Sequence, residues 1–241
     1  ERHALGTLNL HDLAEAAAML AAAERPVVIA GTGVDRAGAQ ELVTELIELL
    51  GCPGMTSMAG RAALRSDHPN AIFGFGPAGD AARSEADVIV VLGSRVGNLD
   101  VPFDKYWGDP AGQRLIQIDI DPRNIGVTRP VALGIVGEVR DALEGLLERL
   151  RAGTVQRGDV ATLARYREID EQARVALATP ILEWTGPGIH PAHAIGAIGA
   201  VFGEDAVYTV DGGNTSLWAY SVLPPTAPRS YHSILELGML G

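Results

Sequence analysis

A glycine pair between an apolar strand and a helix is the first place in this sequence where chemistry could gather. Gly31-Thr32-Gly33 follows Val27-Val28-Ile29-Ala30 and precedes a helical pattern, so main-chain amides and a helix dipole favour an anion such as a phosphate there. The full G-x-G-x-x-G spacing is not met, because Arg36 stands where the third glycine would be. A tight structural turn and a dinucleotide site both remain open. Two further loops leave strand ends in the same way. Arg95, in Gly93-Ser94-Arg95, has the geometry to grip a phosphate bidentately or to pair with a surface carboxylate. In Asp119-Ile120-Asp121 the carboxylates suit ribose hydroxyls, whereas Asp121-Pro122 equally begins a turn. A fourth candidate is Asp211-Gly212-Gly213-Asn214-Thr215, in which two glycines permit close backbone approach and Asn214 and Thr215 offer donors at a helix start. A plain Asp-Gly turn is its alternative.

Other chemistries drop out. Lys105 is the one lysine and follows no G-x-x-x-x-G, which excludes a P-loop, and no G-x-S-x-G nucleophile elbow is present. His190 and His193 lack a third ligand nearby, so His190 reads as a cap on the helix that Pro191 opens rather than as a metal ligand. No metal ligand is assigned. Trp107, Trp184 and Trp218 read as packing anchors.

The elements that must hold these loops follow from periodicity. Leu10 to Arg25 has helical spacing and stops at Pro26; Ala39 to Leu50 is a second helix closed by Gly51. A short strand is expected around Met55-Thr56-Ser57, then a helix ending near Glu85. Val88 to Leu92 is the clearest strand, followed by Leu115 to Asp119, Val131 to Ile135 and a helix from Val139 to Leu150. Strands apolar on every residue, alternating with helices, imply a doubly wound parallel α/β sheet covered on both faces. Gly153 to Asp159 reads as a linker, then a charged helix through Ala178, a second linker over Thr179 to Gly188, a helix after Pro191, the strand Val207 to Val210 and a helix from Thr215. That last strand needs a partner, either in the first sheet or in a second α/β domain.

Composition bounds the rest. The 241 residues are 47% hydrophobic with a formal net charge of −11, enough for a large core without disulfides or structural metal. The acidic balance disfavours nucleic acid and anionic lipid, and no apolar run is long enough to span a bilayer. A lone Cys52 favours a reducing, cytoplasmic compartment. A start at Glu1 and an apolar, Gly-rich end at Leu240-Gly241 are read as a piece of something larger.

Taken in order, these segments resemble a thiamine diphosphate-dependent enzyme of the acetolactate synthase type over nearly the whole chain. The resemblance rests on Arg25-Pro26-Val27-Val28-Ile29-Ala30-Gly31-Thr32-Gly33-Val34, on Ala86 to Arg95, on Ile116 to Pro122, on Val210 to Thr215 with Trp218, and on Gly238-Met239-Leu240-Gly241. It implies a six-stranded Rossmann-like central domain over residues 1–152, a linker with one helix over 153–189, and the truncated start of the diphosphate-binding domain over 190–241. Gly31, Gly33, Arg95 and Asp119 would line a site for FAD, ADP or nothing. FAD-binding members continue past the arginine with Phe-Asp-Asp-Arg, where this chain has Val96-Gly97-Asn98-Leu99. The resemblance also implies that Gly213, Asn214 and Thr215 approach the thiamine diphosphate, that Gly238 faces its aminopyrimidine, and that Leu240 holds it bent. The assisting carboxylate would precede Glu1, and the Mg²⁺ ligands would follow Gly241.

The expected function is therefore a fragment of a decarboxylase or carboligase acting on a small 2-oxo acid. The parent would be a homodimer or homotetramer, and no catalytic residue is assigned to this segment. A stand-alone adenine-nucleotide-binding module is the alternative. A nicotinamide oxidoreductase is a third, although the chain offers no evident catalytic His or Tyr-Lys pair.

Overall fold

The computed structural model describes residues 8–97, 104–223, 225 and 227–233. Its organising element is a five-stranded parallel sheet in the order β2-β1-β3-β4-β5, formed by β1 (Pro26–Ala30), β2 (Gly54–Thr56), β3 (Val88–Leu92), β4 (Arg114–Asp119) and β5 (Leu133–Val136). Every residue of β1 and β3 is buried, because side chains alternate between two covered faces. Val28, Ala30, Val88, Val90, Leu92, Ile116 and Ile118 pack with α1 (Leu10–Ala21), α3 (Gln40–Leu50) and α5 (Val139–Ala152). Val27, Ile29, Ile89, Val91 and Leu115 face the other way, against Ala78 and Ala82 of α4 (Pro77–Glu85), Trp107, and Tyr166 of α6 (Val160–Leu182). The resemblance implied a sixth strand. At the β2 edge only a single parallel bridge occupies that place, Gly54 to Ala71.

Several boundaries differ from the periodic reading. α1 ends at Ala21 rather than Arg25, because the main-chain N–H groups of Glu24 and Arg25 donate to the Asp87 carboxylate at 2.8 Å each and turn the chain into β1. Thr32–Ala37 forms a separate short helix, α2, where a turn was expected. β5 begins at Leu133 instead of Val131, and α6 extends into the start of the expected Thr179 to Gly188 linker, ending at Leu182 with Pro180 in its last turn. A proline there removes the N–H that would donate to the Ala176 carbonyl, and the helix ends two residues later.

Beyond α6 come α7 (Pro191–Phe202), β6 (Tyr208–Val210), α8 (Gly213–Val222) and β7 (Tyr231–Ser233). β6 pairs in parallel with β7 in a separate two-stranded sheet, which decides against its joining the first sheet. No described helix is long and apolar enough to cross a membrane.

Candidate functional site

In a doubly wound sheet a ligand crevice opens where the strand order reverses, and here that point lies between the carboxyl ends of β1 and β3. Three glycines close it tightly. The Gly31 N–H donates to the Leu92 carbonyl at 2.8 Å and the Gly33 N–H to the Gly93 carbonyl at 2.9 Å. A Cβ on Gly31 would stand 2.3 Å from the Gly93 oxygen, and one on Gly33 would stand 2.7 Å from the Gly93 Cα. Gly93 itself has φ +58°, the left-handed region that favours glycine. The two amides expected to cradle a phosphate are thus engaged in joining the loops after β1 and β3, which favours the structural-turn reading for those two groups. Three residues on, buried Val96 holds φ 51°, an uncommon value for a β-branched residue, with its N–H on Ser94 Oγ at 3.1 Å.

Beside this closure lies a cleft of about 400 Å³ whose wall includes Thr32, Gly33, Gly93, Asp119, Arg36 and Glu138. Asp119 is 5% exposed, and its Oδ1 accepts the Asp121 N–H at 2.9 Å and Asn124 Nδ2 at 3.0 Å, which shapes the turn after β4. Gln117 holds the surrounding loops. Buried in β4, it donates from Nε2 to the Ser94 and Asn124 carbonyls at 3.0 and 2.9 Å and accepts the Gly126 N–H at 2.8 Å through Oε1. Arg95 is exposed and lies outside the cleft wall, whereas Arg36 is one of the residues that form it. Sequence reasoning treated Arg36 as a broken fingerprint and passed over Gln117. The usable signal for Gln117 was an amide in a strand that is otherwise apolar up to Asp119.

The second candidate loop behaves differently. Gly213, Asn214 and Thr215 form the exposed first turn of α8, where Gly213 has φ 73° and the N-cap, Gly212, makes no side-chain capping bond. Unsatisfied N–H groups at a helix start, with no Cβ at Gly213 to crowd them, suit a diphosphate. Gly238 and Leu240 lie outside the described residues. Among the described residues no group of three or more His, Cys, Asp and Glu is placed to hold a metal ion. His190 caps α7 as expected, accepting the Ala192 N–H on Nδ1 at 3.2 Å. Trp107 is buried, but Trp184 is 44% exposed and is not the packing anchor it was read to be.

A five-stranded parallel sheet covered on both faces, with a polar cleft at its switch point, defines the Rossmann-like class of α/β layers. Comparison with known proteins is more specific. The family described as thiamine pyrophosphate enzyme, central domain, matches residues 13–146, and the chain belongs to this family. It is 29% identical over 238 residues to a probable acetolactate synthase large subunit of Methanocaldococcus jannaschii, covering 94% of this chain and 39% of that protein. It is 30% identical over 237 residues to an acetolactate synthase of Mycobacterium avium, covering 94% and 37% respectively. An oxalyl-CoA decarboxylase of Escherichia coli is 27% identical over 231 residues, with 94% and 39% covered. The chain therefore spans well under half the length of these relatives.

Proposed function

We propose that the whole protein carrying this chain is a thiamine diphosphate-dependent decarboxylase or carboligase acting on a 2-oxo acid. One observation carries this reading. In a single chain the family match over 13–146 is followed by a second parallel sheet and by the open, uncapped first turn of α8. Relatives on both the carboligase and decarboxylase sides, named acetolactate synthase and oxalyl-CoA decarboxylase, support it, and the stand-alone module finds no support there.

The division into residues 1–152, 153–189 and 190–241 belongs to the same proposal. In it, the first-turn N–H groups of α8 and the side chains of Asn214 and Thr215 hold the diphosphate together with Mg²⁺, while Gly238 and Leu240 orient the coenzyme. When bound, thiamine diphosphate supplies a carbon nucleophile and an electron sink for breaking the bond to the carboxylate carbon. This chain's part is to bind and orient. The α8 donors would hydrogen-bond the diphosphate oxygens, and β6 leads into the turn that presents them. At the switch-point cleft, Asp119 and Arg36 are proposed to receive FAD or ADP, with Gly31, Gly33 and Arg95 framing the loops beside it. Buried, free Cys52 is in keeping with a cytoplasmic enzyme, and homodimers or homotetramers with the coenzyme between subunits are part of the proposal.

The test is carbon dioxide release by the full-length polypeptide with thiamine diphosphate and Mg²⁺, offered pyruvate, 2-oxobutyrate and oxalyl-CoA. Turnover of at least one is expected, with Asn214→Ala weakening coenzyme affinity about tenfold. A full-length protein that neither binds the coenzyme nor releases carbon dioxide would overturn the assignment.

A further inference from the structure

A second cavity, of about 470 Å³, opens between the β2 edge, α6 and α8, and it shares no wall residue with the switch-point cleft. Met55, Ile72, Phe73 and Leu177 give it an apolar wall; Arg61, Thr56 and Asp170 are polar groups on the same wall. Its size and mixture suit a small-molecule site.

Arg61 is the unexpected feature. It is 8% exposed, and its guanidinium makes no hydrogen bond or ion pair among the described residues; Nε is buried with no partner. The guanidinium carbon stands 5.3 Å from the Phe73 ring centroid and 5.7 Å from that of Tyr220. Those rings attract the cation through their faces, but they do not accept its in-plane N–H donors. Burial lowers the pKa of Arg61, while the surrounding Tyr220, Tyr231 and Asp170 oppose that shift. Asp170 lies near enough to interact electrostatically, yet its Oδ1 is engaged with the Phe73 N–H at 3.1 Å. Thr56, a residue of the same wall, has an Oγ1 that is likewise buried without a partner. A buried guanidinium without an acceptor is costly, and its place on the wall of a largely apolar cavity calls for an acceptor that enters it.

We propose that this cavity binds a small anion carried on a flat apolar body, with the Arg61 guanidinium meeting the anionic group and Phe73 and Leu177 packing the body. A carboxylate and a phosphate ester share this chemistry. Arg65 and Arg174, also on the wall, are paired with Asp67 and Glu171, which leaves Arg61 as the uncompensated arginine of this wall among the described residues.

Calorimetric titration of the full-length polypeptide with benzoate and, separately, with phenyl phosphate tests the site. One-to-one binding of at least one is expected, weakened about tenfold or more by Arg61→Met and unchanged by Arg36→Ala, which alters only the other cleft. The preferred probe identifies the head group. Because Arg61→Met removes an unpaired buried charge, its thermal midpoint should match or exceed that of the unsubstituted polypeptide. Ala173→Phe, which fills the cavity from α6 and leaves Arg61 in the chain, should abolish binding independently. Absence of binding by both probes at millimolar concentration, or binding that survives either substitution at full strength, would overturn the proposal.

Discussion

Asp35, in α2, accepts the main-chain N–H of Arg229 at 2.8 Å across 194 residues of sequence. The same oxygen accepts Gln40 Nε2 at 2.5 Å, and the carboxylate is only 4% exposed. One buried side chain therefore ties the helix after β1 to the segment leading into β7. Asp35→Ala should lower folding stability by about 1–3 kcal/mol, since it strands the Arg229 N–H and the Gln40 amide. Urea unfolding measures the loss, and hydrogen exchange should accelerate at Arg229 and Tyr231 more than in β3.

The glycine closure between β1 and β3 makes a sharper prediction. Gly31→Ala places a Cβ 2.5 Å from Ser94 Cβ as well as against the Gly93 carbonyl, and most of what it meets is backbone with little room to yield. A loss of about 1–3 kcal/mol is expected. Gly196→Ala is the control. That position lies inside α7 with nothing within 4 Å of an added Cβ, so a gain of about 0.5–1 kcal/mol is expected from helix propensity. Thermal midpoints of the two variants should move in opposite directions.

Alkaline pH should unfold the protein through its buried phenols. Burial, with the Glu85 carboxylate adding to it, pushes Tyr166 up to about 12, and burial pushes Tyr231 up to about 12, from the ordinary value of 10.0. Each phenol holds its proton more tightly when folded, so the contribution is complete below pH 10 and is lost as pH rises from about 10 to about 12. Burial also pushes the Cys52 thiol far up, which should leave it unreactive toward thiol reagents until the fold opens. Urea midpoints should fall steeply over this range. In Tyr166→Phe, which lacks the 2.9 Å bond to Glu85, the midpoint should begin lower at pH 8 and fall less.

At the switch-point cleft, Arg36 and Arg95 can be told apart. ADP titration should show affinity reduced about tenfold by Arg36→Ala, at a residue of the cleft wall, and reduced less by Arg95→Ala, at one that lies outside it. Equal losses would return Arg95 to the position that the family resemblance gave it.

The central sheet was legible because β1 and β3 are apolar at every residue, a pattern that only a sheet covered on both sides rewards. β7 was not. Tyr231-His232-Ser233 is three residues long with one of them exposed, and it exists as a strand only because β6 lies beside it. α2 was hidden for a related reason, since Gly31-Thr32-Gly33 reads as a turn until the loop after β3 fixes its backbone. The loops of the candidate site were found by residue type, but their hydrogen bonding was not. Whether a glycine amide faces a ligand or the Leu92 carbonyl depends on a strand 60 residues away. Arg61 escaped notice because an arginine in sequence looks like surface, and only the packing of Phe73 and Tyr220 around it shows otherwise.

The meeting of Gly31, Gly33 and Gly93 also limits how this fold can be redesigned. Enlarging a binding crevice ordinarily means trimming side chains, and at this seam there are none to trim. A bulkier guest must either remain on the flank beside Arg36 or force the two parallel strands to splay, which would spread the disturbance through both layers of helices.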